Sequence, residues 1–142
     1  MDQRISLITL AAADLDAARA FYENLGWEVT DATEGIVVFD LIGQTLGLYS
    51  KAGLARDMGL SEDEIGGFSG ITLAHNLPTR EAVDALYARF VEAGGRGVKA
   101  PHEVFWGGYT SYAADLDGHV WEIAHNPFSP LGPKGEFQWR GA

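Results

Sequence analysis

The tetrapeptide "ITLA" occurs twice in this chain, at residues 8–11 and 71–74, an offset of 63 (71 minus 8). Each copy alternates as a half-buried strand does, and each is followed by an amphipathic helical pattern. The first helix starts at Asp14, whose short carboxylate suits an N-cap, and sets Leu15, Ala18, Phe21, Tyr22 and Leu25 on one stripe. The second starts near Thr79 and aligns Val83, Leu86, Tyr87, Phe90 and Val91. Both stop at a glycine, Gly26 and Gly94, the residue a left-handed C-terminal cap favours.

Three strand-like runs follow each helix. They are "WEVTDA", "GIVVFD" and "QTLGLYS" in the first half, and "RGVKA", "YTSYAAD" and "HVWEIAH" in the second. The order strand, helix, strand, strand, strand therefore repeats, and internal duplication explains it better than chance. The pattern predicts one α+β domain of two tandem βαβββ modules. Their curved mixed sheet surrounds a cleft, with the helices outside. Module 1 covers about residues 4–51, a linker with one short helical turn about 52–68, module 2 about 69–127, and a C-terminal tail 128–142.

A chain of 142 residues can bury a sizeable core as one domain. It has no cysteine, so disulfides, thiolate metal sites and a cysteine nucleophile are excluded. The N-terminal segment lacks a basic region followed by a long apolar one, and no apolar run reaches the ~20 residues of a membrane-spanning helix. The expectation is a soluble, cytoplasmic protein. A net charge of −10 disfavours nucleic acid and anionic membrane as partners, because both call for a basic face. The same charge attracts cations, although solubility alone also accounts for it. The densest acidic run, "LSEDEIGG", reads as a solvated loop.

In "DLDGHVWEIAH", residues 115–125, Glu122 stands in mid-strand among apolar neighbours. A carboxylate there is costly to desolvate unless it is paired, hydrogen-bonded or metal-bound.

The runs "ITLAAADLDAARAFYENLGW", "ITLAHN" and "DLDGHVWEIAHNP" resemble the vicinal oxygen chelate superfamily, over about residues 4–127. That superfamily includes glyoxalase I, extradiol dioxygenases, and fosfomycin- and bleomycin-resistance proteins. In its metal-using members, four ligands come from the first and last strands of the two modules. The resemblance places those positions at Leu7, Gly47, Gly70 and Glu122, and only Glu122 offers a side-chain donor. A divalent ion needs several converging protein ligands. The expectation is that the metal site is lost and that no metal or other cofactor is used.

The remaining histidines do not rebuild such a site. His119 lies an odd number of residues from Glu122 and points to the opposite face. His75 and His125 should face away from the cleft, where structural hydrogen bonding is the expected role. His102 is placed on a loop.

Gly47 and Gly70 leave room beside Glu122, either for a ligand or for a neighbouring side chain such as Leu7. Alternation puts Thr9, Thr45, Tyr49, Thr72 and Val120 on the cleft face. "VFWGGYTSY" adds Phe105, Trp106, Tyr109 and Tyr112, and Gly107–Gly108 allow the tight turn that would bring these rings to a ligand. The candidate ligand-binding set is Gly47, Tyr49, Gly70, Thr72, Trp106, Tyr109 and Glu122, and Glu122 is also the one catalytic candidate.

Three functions stay open. The first is a metal-free small-molecule-binding protein resembling bleomycin-resistance proteins, holding an aromatic or cationic ligand in an aromatic-lined cleft. The second is a glyoxalase-like lyase or isomerase with Glu122 as base or as sole remaining metal ligand. The third is an interaction module whose cleft is plugged by Leu7 and its neighbours. The resemblance also implies a homodimer. The tail is either a loose end or a segment that docks Phe137 and Trp139 over a cleft.

Overall fold

Asp14 caps the first helix as its chemistry suggests, its carboxylate accepting from the Ala17 amide at 3.0 Å. In the computed structural model, which describes residues 1–142, that helix belongs to the first of two compact units, Met1–Gly67 and Phe68–Ala142.

The first unit contains β1 (Ile8–Ala12), α1 (Leu15–Asn24), β2 (Asp31–Thr33), β3 (Ile36–Leu41) and β4 (Gln44–Ser50), followed by α2 (Lys51–Met58). Its four-stranded sheet runs β1-β4-β3-β2, with β1 and β4 parallel and the other pairs antiparallel. Leu10, Ala12, Val37, Phe39, Leu46 and Leu48 are buried, as are Ala18, Phe21 and Tyr22 of α1. A side chain such as Phe39, wholly inaccessible, contributes about 1.5–3 kcal/mol relative to exposure.

Two departures from the sequence reading occur here. Of "WEVTDA", only the end becomes strand. Trp27 instead stacks on Tyr22, with ring centroids 5.0 Å apart, and its amide bonds the Tyr22 carbonyl. The linker is also more ordered than one helical turn. Ser50 caps the two-turn α2 through the Gly53 amide at 3.1 Å, Gly59 ends it at φ +72°, and a 3-10 turn covers Glu62–Glu64.

The second unit holds β5 (Thr72–Asn76), α3 (Arg80–Glu92), β6 (Arg96–Glu103), β7 (Tyr109–Ala114) and β8 (Val120–His125). The sheet order β5-β8-β7-β6 repeats the first unit's topology, again with the first and last strands parallel. Thr79 caps α3 through the Ala82 amide. Val83 and Phe90 pack inward, together with Ala113, Trp121 and Ile123. Val91, the edge of the expected stripe, is exposed. A Cβ at Gly95 would lie 2.7 Å from the Phe90 carbonyl oxygen and 2.8 Å from that of Ala114, so only glycine fits where the chain leaves α3. No helix is long and apolar enough to cross a membrane.

The α+β class and the doubled βαβββ order are those the sequence predicts. Each module has its own four-stranded mixed sheet.

Candidate functional site

Strand pairing defines which side chains share the sheet face turned away from the helix. In the second unit Ala74 and Tyr112 flank Glu122, Lys99 is opposite Tyr112, and Thr110 lies between Ala124 and His102. One row across the sheet therefore reads Ala74, Glu122, Tyr112, Lys99. Thr110 is buried and donates its hydroxyl proton to Glu122 Oε1 at 3.1 Å. Burial raises the Tyr112 pKa above its ordinary 10.0, the Glu122 charge adds to this, and a hydrogen bond with Thr110 opposes it. The phenol thus stays protonated beside a carboxylate acceptor. Ala74, an exposed residue, offers only a methyl group on the β5 side of Glu122. A donor and an acceptor side by side can bind a polar or cationic group, or pass a proton.

In the first unit Thr9, Thr45, Gly47 and Tyr49 share the face opposite α1, as alternation predicts. The space at Gly47 is occupied, however. A Cβ there would stand 3.3 Å from Ile36 Cδ1 and 3.6 Å from Leu7 Cδ1, so Gly47 accommodates neighbouring side chains and opens no pocket. Tyr49 is turned to α2, donating its hydroxyl proton to Asp57 at 2.9 Å with its ring against Gly53. That hydrogen bond, then burial, raises its pKa.

Gly70 is not a strand residue. It precedes β5 at φ +82°, with open space where a Cβ would be. Thr72 begins β5 on the same face as Glu122.

Tyr109 falls on the helix side, three residues from Tyr112 and so on the opposite face. It donates to Asp84 of α3 at 2.7 Å, under the Arg80 guanidinium, which also pairs with Glu103. The Asp84 hydrogen bond raises the Tyr109 pKa most, followed by burial. Gly107, at φ +98°, makes the tight turn expected of it. Trp106 lies over Gly108, and Phe105 projects fully into solvent.

His125 Nδ1–H donates to the Leu77 carbonyl at 3.0 Å, and ring burial lowers the His75 pKa even though the residue keeps an exposed edge. His102 belongs to β6 and not to a loop. This edge strand runs on through Pro101 by means of register shifts, and an edge tolerates a missing amide donor. Thr110 and Lys99 escaped the sequence reading. Alternation within "YTSYAAD" would have found Thr110 once the β7–β8 pairing was known.

The two modules are not copies in register. Gly43 and Gly118, the glycines by which Gly47 aligns with Glu122, precede β4 and β8 at φ +77° and +86°. Yet Thr9 pairs with Gly47, while its repeat counterpart Thr72 pairs with Val120. The slip is two residues, so every side chain keeps its face.

The glyoxalase/bleomycin resistance protein/dioxygenase superfamily model matches residues 4–123. The chain belongs to this superfamily. A glyoxalase-related enzyme from Fulvimarina pelagi is 34% identical, with 96% of this chain and 98% of that one covered and a TM-score of 0.88. A hypothetical protein from S. aureus is 25% identical, at 89% and 95% coverage and a TM-score of 0.77. A superfamily enzyme from Burkholderia phytofirmans PsJN shares the fold at 23% identity, 84% and 96% coverage and a TM-score of 0.76. No curated protein matches the chain.

Metal-using members of the superfamily need several donors around one ion. At the four positions that the resemblance implies, Leu7 ends in methyl groups, Gly47 and Gly70 have no side chain, and Glu122 is the single donor. No group of three or more His, Asp or Glu side chains stands where it could hold a metal. These residues do not fit the superfamily's metal.

Proposed function

We propose that this superfamily member is a metal-free small-molecule-binding protein, similar in role to the bleomycin-resistance members, that takes an aromatic or cationic ligand. The observation that carries the reading is the Glu122–Tyr112 pair on the face of the second sheet opposite α3, with Thr110 fixing the carboxylate. A half-buried carboxylate without a cationic partner favours a ligand that brings one. The chain's net charge of −10 raises the local concentration of such cations. The reading includes a cytoplasmic homodimer.

Calorimetric titration with benzyltrimethylammonium and with benzyl alcohol tests it. The cation should bind more tightly than the alcohol, and Glu122→Gln should weaken it about tenfold or more, the scale of a lost charge-assisted contact. Equal affinity of both proteins for the cation, or no heat with either probe, would overturn the reading. Sedimentation equilibrium tests the homodimer separately.

A second reading, a glyoxalase-like lyase or isomerase, is favoured by the 34% identity to a glyoxalase-related enzyme. Tyr112 also supplies a proton partner for Glu122 acting as base. Under this reading Glu122→Gln abolishes turnover and leaves ligand affinity largely intact.

A further inference from the structure

Residues 126–142 form neither helix nor strand, yet they are tied to one another by side-chain and backbone hydrogen bonds. Asn126 accepts from the Phe128 amide at 2.9 Å and donates to Ser129 Oγ at 3.2 Å. Ser129, almost fully buried, donates in turn to the Trp139 carbonyl at 2.6 Å. The Gly132 amide bonds the Glu136 carbonyl, and the Ala142 amide that of Pro130. So connected, the tail is one wall of a cavity of about 440 Å³ at the ends of β5 and β8, wholly within the second unit.

The composition of that cavity restricts what can enter. Leu77, Pro78, Pro130 and Leu131 make its apolar walls, and no Asp, Glu, Lys or Arg side chain lines it. A charged ligand would lose its hydration there without gaining a counter-charge. Its polar lining is Asn76, His125, Asn126 and Ser129, and the last two already spend their side chains on hydrogen bonds within the tail. His125 already donates Nδ1–H to the Leu77 carbonyl, so the neutral ring can offer a ligand only the Nε2 lone pair, an acceptor. Proline fixes its own backbone torsion, so these walls are largely formed before a ligand arrives. The volume lies in the range of small-molecule sites.

We propose that this tail-walled cavity is a ligand site separate from the Glu122 face. It takes an uncharged molecule with an apolar body and a hydroxyl or N–H group that donates to His125 Nε2. The tail is then the closing wall of a binding site and neither a loose end nor a cover for the Glu122 face.

Amide NMR spectra of the intact protein, titrated separately with phenol, toluene and benzoate, test this. Phenol should shift the amides of Leu77, Asn126, Leu131 and Gly132 and leave those of Thr110, Tyr112 and Glu122 in place. Toluene, which lacks the donor, should bind about threefold to tenfold more weakly, the usual yield of one neutral hydrogen bond. Benzoate should shift none of these amides. His125→Phe should bring phenol down to the affinity of toluene, and Leu131→Glu should abolish both without touching His125. Absence of phenol shifts at the cavity, equal binding of phenol and toluene by the unaltered protein, or equal binding of benzoate would each overturn the proposal. None of these outcomes bears on the Glu122 reading, which uses other residues and other probes.

Discussion

Thr110 of β7 holds Glu122 of β8 from the neighbouring strand, hydroxyl to carboxylate at 3.1 Å, on the face opposite α3. Thr110→Val keeps the shape of the side chain and removes the donor. Because the carboxylate is only half-buried and can recruit water, folding stability should fall by no more than about 1 kcal/mol. Affinity for benzyltrimethylammonium should fall further, because the carboxylate is no longer oriented before the ligand arrives. Urea unfolding and calorimetry on the same variant separate the two effects.

Gly53 presents a local conflict between helix propensity and packing. It lies inside α2, where alanine is normally preferred by roughly 1 kcal/mol. A Cβ there would stand 2.7 Å from Ser50 Oγ and 2.8 Å from the Tyr49 ring. Gly53→Ala should therefore destabilise the protein by about 1–3 kcal/mol, the usual cost of overpacking. Adding Tyr49→Ala should recover part of the loss. The midpoints of urea unfolding for the two single variants and the double variant decide the matter.

Tyr49, Tyr109 and Tyr112 should ionise above the ordinary phenol value of 10.0, for reasons that differ from ring to ring. The first two are held up mainly by hydrogen bonds to Asp57 and Asp84, the third by burial. In the unfolded chain all three ionise near 10, so the unfolded state releases these protons first. Their contribution to stability is complete below pH 10 and is lost as pH rises through the folded values. Spectrophotometric titration of the protein beside its Tyr49→Phe, Tyr109→Phe and Tyr112→Phe variants should show that each of these three rings ionises late. Asp84→Asn should return one ring toward 10 and speed amide exchange in the 104–108 turn.

His75 titrates in the opposite sense. Burial lowers its pKa below 6.5, so the unfolded chain binds a proton that the folded one resists. The contribution is present above pH 6.5 and is lost as pH falls through that value and below. His75→Gln should flatten the acid limb of the stability curve measured by thermal unfolding between pH 7 and pH 5. An unchanged slope would assign the acid sensitivity to other groups.

The helices were legible because three local signals agreed at each: a capping side chain (Asp14 or Thr79), an apolar stripe, and a glycine at the end. The strand β4 matches "QTLGLYS" from end to end, since alternation and the glycine-led turn before it point the same way. Helix α2 was harder to see. Gly53 argues against a helix in the sequence and is explained only by the Tyr49 ring that lies on it. The neighbourhood of Tyr109 in "FWGGY" suggests the ligand face, whereas its odd spacing from Tyr112 puts it on the helix side, where it meets Asp84.

The amino-acid order alone determined the doubled βαβββ plan and the odd carboxylate at Glu122, because periodicity, capping and turn chemistry act over a few neighbouring residues. Only the tertiary structure decided that Leu7 and Ile36 close the space at Gly47, that Thr110 holds Glu122, and that the tail walls a cavity with His125. Those relationships join residues far apart in the chain. They depend on strand register, where a shift of two residues preserves every face and so leaves no trace in the hydrophobic pattern.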